Sequence, residues 1–217
     1  MKIILAAACT GLIAGLATTP AAAQQAASAY TTFDSKKCQH TAGKDAEDYG
    51  SWRCAGYADI EVRLSAGDQR MQVSFGPDAA REVAARQTFP AFNSAYEGTV
   101  EWRLAPLPSG TTRPFATILR WNVRQDDDGK DASGRVLVVT RLGSLRARIS
   151  DGEPSGPSSG IAPGICHVGY VDARANPDAN ALARKIADEN ARKFVCGRDR
   201  PVVLGKVSPG LAMPEAR

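Results

Sequence analysis

The sequence predicts an α+β domain: a mainly antiparallel β-sheet with a C-terminal α-helix packed on it, held by two disulfides. Three observations predict this class. Short alternations of apolar and polar residues recur between residues 58 and 171, one strongly helical segment follows them, and four cysteines lie beyond an export-like N-terminus. Runs of strands with a segregated helix are typical of α+β domains.

The first 23 residues have the layout of a secretory signal peptide. Lys2 provides a positive start, residues 3–17 are apolar, and residues 21–23 offer a small-residue cleavage site. The apolar run is short for a membrane span, which needs about 20 residues. A lipoprotein signal at Cys9 is a weaker alternative, because few residues separate it from Lys2.

Export leaves one domain at residues 24–204 and a flexible C-terminal tail at 205–217, in the periplasm or secreted. The chain carries a net charge of +4, and removal of Lys2 with the signal peptide leaves +3. This mild charge does not favour nucleic acid as a partner. No later segment is apolar enough to span a bilayer, so the expected partner is an unknown envelope protein or an anionic ligand.

The four remaining cysteines predict two disulfides. Four thiols allow three pairings, and an oxidising compartment favours disulfides over free thiols. We expect the near pairs Cys38–Cys54 and Cys166–Cys196, each adding roughly 3 to 4 kcal/mol on a loop-entropy estimate. No C-x-x-C or H-x-x-H spacing is present, so neither a metal site nor a cofactor is predicted.

The strands are predicted from period-two alternation. Residues 60–64 and 71–75 alternate on either side of the turn AGDQ and form a hairpin. Residues 79–87 are expected to form a short helix, which Pro90 ends. Further strands are expected at 100–104, 115–123, 135–142, 145–149 and 165–171, with the polar turn QDDDGKDASG before the third of these and a Gly/Ser/Pro loop at 150–164.

The C-terminal helix has the clearest pattern. Asn176 can cap it, Pro177 suits its first position, and Gly197 ends it. Its buried face follows three- and four-residue spacing at Ala179, Leu182, Ala183, Ile186, Ala187 and Phe194. A helix joined to strand 165–171 by a short loop folds back on the sheet and brings Cys196 near Cys166.

The stretch ICHVGYVDA puts Cys166 beside His167, in a chain with two histidines. Neighbours on a strand point to opposite faces, so Val168 and Tyr170 are expected on the face of Cys166. This separation argues against a thiolate–imidazole pair. We expect a half-cystine on one face and a surface or rim histidine on the other.

Two catalytic or metal-binding motifs match only formally. GPSSG, residues 156–160, fits the nucleophile-elbow pattern but lies in a loop without a following helix. DDDGKD, residues 126–131, lacks the spacing of a calcium loop and is expected to be a solvated hairpin tip. No catalytic residue is predicted, and enzymatic activity stays uncertain, with a non-enzyme favoured.

The best indication of a binding surface is a set of arginines on neighbouring strands. Guanidinium groups suit carboxylates and phosphates, although an ordinary solvated sheet face is the alternative. The candidate binding residues are Arg120, Arg124, Arg141, Arg146 and Arg148. Trp102 and Trp121 are expected in the core, and Trp52 is expected against the first disulfide.

Three blocks of sequence resemble a group of uncharacterised exported bacterial proteins. They are YGSWRCAGY, FATILRWNV with VLVVTRLG, and CHVGYVDARANPDANALARKIADE. The resemblance covers roughly residues 30–197 and implies no activity, cofactor or site residue.

The expected function is therefore a non-catalytic periplasmic protein that binds a partner in the envelope. One alternative is an inhibitor of an envelope hydrolase, which would insert the 150–164 loop into a cleft. Another is an enzyme of unknown class, with His167 beside Asp172 or Tyr170 in a pocket.

Overall fold

Two β-sheets and one α-helix are stacked in three layers in the computed structural model, which describes residues 26–45, 48–127, 130–143 and 164–214. The larger sheet is the middle layer. The bounds in chain order are β1 Ala27–Asp34, β2 Gln39–Thr41, β3 Asp48–Cys54, β4 Val62–Gly67, β5 Arg70–Phe75, β6 Asn93–Ser94, β7 Glu97–Pro106, β8 Thr112–Asp127, β9 Lys130–Arg141, β10 Cys166–Asp172, α1 Ala179–Asn190 and β11 Val202–Val203.

The smaller sheet has the order β2-β3-β4-β5, and the larger has the order β1-β7-β8-β9-β10-β11 with β6 beside β8. All pairings are antiparallel except that of β10 with β11, which makes the larger sheet mixed. The α+β class, the C-terminal helix on a sheet and both predicted disulfides are confirmed. The sequence predicted one sheet, because alternation shows which side of a strand is buried but not which strands pair.

The first core lies between the two sheets. Strand β7 turns Val100, Trp102 and Leu104 towards this core, where they pack with Leu64 of β4 and Val73 of β5. Each of these side chains is almost fully buried. The period-two pattern of the sequence therefore identified the correct inward face of β4, β5 and β7.

The second core lies between the larger sheet and α1. The helix contributes Ala183, Ile186 and Ala187, and β10 contributes Val168 and Val171. The predicted buried face of the helix is thus confirmed at these positions.

Gly169 allows the helix to approach β10 closely. A Cβ atom there would lie 2.8 Å from Ile186 Cγ2 and 2.8 Å from the Val202 carbonyl oxygen. Real Cβ atoms do not approach that closely, so a larger residue would push α1 or β11 away from the sheet.

The short helix predicted at 79–87 is wrong as an α-helix. The structure has two single 3₁₀ turns, Ala79–Arg81 and Val83–Arg86. Glu82, between them, is extended with φ −70° and ψ 158°, and this conformation interrupts the helical path. The alanine-rich composition favoured a helix, but a single extended residue divides the segment.

The start of α1 also differs from the prediction. The helix begins at Ala179, and its first turn receives no side-chain cap from Asp178. The Asn176 side chain donates hydrogen bonds to the carbonyl oxygens of Asp172 and Lys206, both at 2.8 Å, and accepts one from the Lys206 N–H at 2.9 Å. Asn176 therefore holds the C-terminal segment against β10 instead of capping the helix.

The first part of the predicted flexible tail makes specific contacts. Besides the bonds of Lys206 to Asn176, the N–H and the hydroxyl of Ser208 donate hydrogen bonds to the Asp172 carboxylate. Leu211 is buried in the core between the sheets. No helix in the described part of the chain is long and apolar enough to cross a membrane.

Candidate functional site

Cys166 is a half-cystine, as the sequence predicted. Its sulfur is bonded to Cys196 with an S–S distance of 2.07 Å and the residue is 1% exposed. The bond joins β10 to the chain just after α1. Because the sulfur is already oxidised, it has no thiolate to offer as a nucleophile or a metal ligand.

A bulge in β10 changes the expected faces of the strand. The register against β9 shifts between His167 and Gly169. As a result, Tyr170 lies in the core between the sheets, whereas Cys166 and Val168 lie on the helix side. The prediction that Tyr170 shares the face of Cys166 is wrong, because an extra residue reverses the alternation beyond it.

His167 and Tyr170 are instead neighbours in the core between the sheets. His167 Nδ1 lies 3.3 Å from the Tyr170 hydroxyl, and the imidazole meets the Trp121 ring edge to face at 5.7 Å. His167 is 1% exposed, so the prediction of a surface or rim histidine is wrong. The ring lies on the face opposite Cys166, as expected, but the smaller sheet covers that face, and the bulge brings Tyr170 onto it as well.

Burial determines the protonation of this pair. It lowers the pKa of His167 to about 4, and it raises the pKa of Tyr170 well above its ordinary value. Both groups are neutral at pH 7. Asp172 was the other residue expected beside His167 if the chain were an enzyme. Its carboxylate instead accepts hydrogen bonds from Ser208 and from the turn after β10. The pair His167–Tyr170 is a core contact, in which the second imidazole nitrogen, Nε2, is buried and makes no hydrogen bond within the described residues.

Part of the predicted arginine face is present. Arg120 and Arg124 are exposed and point to the same face of β8 as Ile118. Because Ile118 packs under α1, this is the helix side of the larger sheet. Arg135 on β9 is also exposed and pairs directly with Asn122. We call Arg120, Arg124 and Arg135 the arginine face.

Arg135 was missed by the sequence analysis. Arg135 is the first residue of the predicted strand RVLVVTRL. Its position beside Arg120 and Arg124 depends on the register of β9 against β8, which the sequence does not show.

Arg141 does not belong to the arginine face. It lies at the end of β9, paired with Cys166, and is 0% exposed. Burial lowers the pKa of its guanidinium, while the charge of Asp199 opposes this shift. Arg146, Arg148, the predicted strand 145–149 and residues 150–163 of the predicted 150–164 loop lie outside the described residues.

A groove of about 440 Å³ extends from the arginine face to α1. It is lined among others by Tyr30, Glu101, Arg120, Asn122 and Arg184. Arg184 bonds Glu101 at 2.7 Å through Nε and at 3.2 Å through Nη2. The negative charge of Glu101 is therefore already compensated within the groove.

Next to the groove, Arg103 is buried between β7 and α1. It makes two hydrogen bonds to the Asp188 carboxylate, at 3.0 and 2.7 Å. Glu101 lies 3.6 Å from the same guanidinium and accepts a bond from Ser28 at 2.6 Å. This network fixes the helix on the sheet and forms one wall of the groove.

The tryptophans are core residues rather than a ligand platform at two of three positions. Trp102 and Trp121 are buried, as predicted. Trp52 is half-buried on β3 and stacks on His40 with ring centroids 4.8 Å apart.

Within the described residues, no group of three or more His, Cys, Asp and Glu side chains is arranged to hold a metal ion.

The arginine face can therefore act as a recognition surface for negative charge. Guanidinium groups donate paired hydrogen bonds to carboxylate and phosphate oxygens.

Comparisons with protein-family models, with curated proteins and with solved structures found no match to this chain.

Proposed function

We propose that this chain is an exported, non-catalytic binding protein of the cell envelope that recognises an acidic partner protein through the arginine face. The observation that carries the proposal is the exposure of Arg120, Arg124 and Arg135 on one face of two paired strands. Arginine is over-represented where planar, bidentate recognition of anionic oxygens is needed.

The strand register supports a common ligand for these groups. Side chains directly opposite on paired strands are about 5 Å apart, and diagonal neighbours are about 7 to 8 Å apart. Arg135 is opposite Asn122 and is therefore a diagonal neighbour of both Arg120 and Arg124. The guanidinium of Arg124 lies over the Phe92 ring, 5.5 Å from its centre, so Arg120 and Arg135 are the two groups best placed to converge on neighbouring carboxylates of a partner.

The neighbourhood adds to the positive character of the surface. Glu101, in the adjoining groove, is held by Arg184 and Ser28. Glu97, which also lines the groove, is exposed, so the positive surface that an acidic partner would meet is the arginine face itself. Association of this kind is faster at low salt, because ions screen charges beyond roughly 10 Å at 0.1 M ionic strength.

Export is supported by the N-terminal layout and the cysteines. Residues 1–23 have the order of a secretory signal, and two disulfides link the domain. Disulfides persist in oxidising compartments such as the periplasm. An envelope partner follows from that location.

The test uses a charge-matched pair of variants. Arg120→Gln/Arg135→Gln removes two cations from the arginine face, and Arg81→Gln/Arg200→Gln removes two exposed cations elsewhere. Binding to immobilised poly-glutamate at low ionic strength is measured for both. We expect the first variant to bind at least tenfold more weakly than the wild type and the second to lose much less.

A photo-reactive residue at position 120, expressed in the native envelope, then captures the partner. A matched one at position 81 is the control. Equal loss of poly-glutamate binding in both variants, or the same captured proteins from positions 120 and 81, would contradict the proposal. Far-UV circular dichroism of each variant confirms that the fold is retained.

A further inference from the structure

Within the described residues the two sheets end in four edge strands, and three of these edges are protected. β11 and β2 are only two and three residues long. The edge of β5 is covered, because the Met71 N–H bonds the Asn93 side chain at 3.1 Å and the Met71 carbonyl accepts a bond from the Thr88 hydroxyl at 2.6 Å. Short or covered edge strands prevent pairing with other chains.

β1 is the fourth edge and has none of these protections. It extends over eight residues and pairs with β7 in continuous register, without a bulge. Its residues 27–33, ASAYTTF, include no charged residue and no proline. In the part of the chain that the structure describes, no backbone group of residues 27–33 is hydrogen-bonded on the side away from β7. β1 therefore presents a row of N–H and carbonyl groups that a further strand can pair with.

Tyr30 lies at the middle of this edge. At 55% exposure it is the most exposed large apolar side chain among the described residues. Its hydroxyl accepts a hydrogen bond from Arg184 at 3.2 Å, which holds the ring on the helix side of the sheet. A ring that is already held loses little conformational entropy when a partner covers it. The edge thus offers an apolar contact in addition to its backbone groups.

Little chain precedes β1 in the exported protein. Cleavage after residue 23, which goes with the proposed export, leaves residues 24–26 before the strand. A hairpin needs a turn of about two residues before a second strand can begin. Three residues are therefore too few to fold back along β1, and the segment before the strand leaves the edge open.

The side chains of β1 suit a second copy of the same strand. In an antiparallel pair with its two-fold axis at Tyr30, each residue lies opposite the one equally far from Tyr30 on the other copy. Phe33 then lies opposite Ala27, so a large side chain meets a small one, and the two Tyr30 rings are neighbours. Asp34, the acid at the end of the strand, lies opposite Ala26 and meets no like charge. Cross-strand aromatic pairs stabilise a sheet, whereas like charges directly opposite destabilise it.

We propose that β1 is a dimer interface, in which two copies of the chain pair antiparallel through residues 27–33 with the two-fold axis at Tyr30. Backbone hydrogen bonds then join the two larger sheets into one continuous sheet. Because opposite residues of paired strands point to the same face, α1 and the arginine face of both copies lie on one side. An acidic partner that spans both arginine faces would bind with higher apparent affinity. The dimer itself does not depend on the arginine face.

Cysteine cross-linking of the exported protein, beginning at residue 24, tests the position of the axis. The Cβ atoms of directly opposite residues are about 5 Å apart, close enough for a disulfide after a small adjustment. We expect Tyr30→Cys to form a covalent dimer on mild oxidation. Thr32→Cys, at an exposed position on the same face of β1, is the matched control. The two copies of position 32 are four residues apart along the paired strands, about 13 Å, so this variant should stay monomeric.

Sedimentation velocity from micromolar to millimolar concentration measures the association itself. We expect the wild type to dimerise and Tyr30→Lys, which places two cations opposite each other at the axis, to associate about tenfold more weakly or worse. Tyr49→Lys makes the same exchange at an exposed tyrosine of β3 and should dimerise like the wild type. Far-UV circular dichroism confirms that each variant is folded.

A wild type that stays monomeric throughout this concentration range would overturn the proposal and leave the edge to an extended segment of another protein. So would a dimer that cross-links no better at position 30 than at position 32, or equal association of the two lysine variants. None of these measurements involves poly-glutamate, so the dimer and the proposed function fail separately.

Discussion

The carboxylate of Asp172 accepts two hydrogen bonds from Ser208, one from the backbone N–H at 2.8 Å and one from the hydroxyl at 2.6 Å. Its other oxygen accepts bonds from the N–H groups of Arg174 at 2.8 Å and Ala175 at 3.3 Å. Asp172 is 0% exposed. One buried carboxylate therefore joins the end of β10 to a segment 36 residues further along the chain.

We expect Asp172→Asn to lower the free energy of unfolding by about 2 kcal/mol or more at pH 7, since an amide replaces one acceptor oxygen with a donor that faces other donors. Burial alone would raise the pKa of Asp172, but the hydrogen bonds from Ser208, Arg174 and Ala175 outweigh burial and lower it. The stabilisation of the fold by the ionised Asp172 carboxylate is therefore present above the pKa that Asp172 has in the unfolded chain. It is lost as pH falls through the lower pKa that Asp172 has in the folded protein.

Urea unfolding of both proteins at pH 7 and pH 3 measures this effect. The difference in the free energy of unfolding between wild type and Asp172→Asn should be smaller at pH 3 than at pH 7. Asp59→Asn, at an exposed position, is the control and should stay within about 0.5 kcal/mol of the wild type at both values. A gap of constant size across this range would show that the carboxylate charge does not contribute.

The pair Arg103–Asp188 is expected to dominate the attachment of α1 to β7. Arg103→Ala removes both bonds to Asp188 and leaves Glu101 with Arg184 as its cation, so we expect a loss of about 3 kcal/mol, the lower end for a broken buried pair. Asp188→Ala is expected to cost less, because Arg103 keeps Glu101 at 3.6 Å and the bond to Ser28. Chemical denaturation of the two single variants and the double variant gives the coupling energy.

The matched control is the exposed pair Arg53–Glu61, whose side chains are 51% and 36% exposed. Arg53→Ala should cost at most about 1 kcal/mol, because water and salt screen a surface pair. Similar losses from Arg53→Ala and Arg103→Ala would show that burial adds nothing to the inner pair.

The buried network also shows which parts of the fold a sequence can predict. Glu101 and Arg103 alternate with Val100 and Trp102, so the pattern correctly predicted a strand and its apolar face. The same pattern marked the two charged residues as solvent-facing. The two residues are buried because α1 covers that face of β7. Arg103 and Asp188 are 85 residues apart in the chain, so the pattern of residues around Arg103 does not reveal their contact.

The candidate sites show the same limit. The disulfide partners were predictable because cysteines are few and near pairs close easily. The faces of β10 were not, because one inserted residue reverses the alternation, and Gly169, the local sign in CHVGYVD, is equally typical of a bulge and of a close approach by another element. Arg120 and Arg124 were found from spacing along one strand, whereas Arg135 needed the register between two strands.

His167 should make the domain sensitive to mild acid. Burial lowers its pKa to about 4 from an ordinary 6.5, so the folded protein excludes a proton that the unfolded chain binds. The stability from this group is complete above pH 6.5 and declines as pH falls towards 4, by roughly 3 kcal/mol in all. Urea unfolding at intervals between pH 7 and pH 4 measures the decline.

Two variants separate this contribution from that of the carboxylates. His167→Phe keeps a ring against Trp121 and Tyr170 but cannot be protonated, so its stability should fall less steeply than that of the wild type over this range. His40→Gln changes the exposed histidine on β2 and should keep the wild-type slope. If wild type and His167→Phe lose stability in parallel from pH 7 to pH 4, the imidazole is protonated as readily in the folded protein as in the unfolded chain, and its assignment to a dry core is wrong.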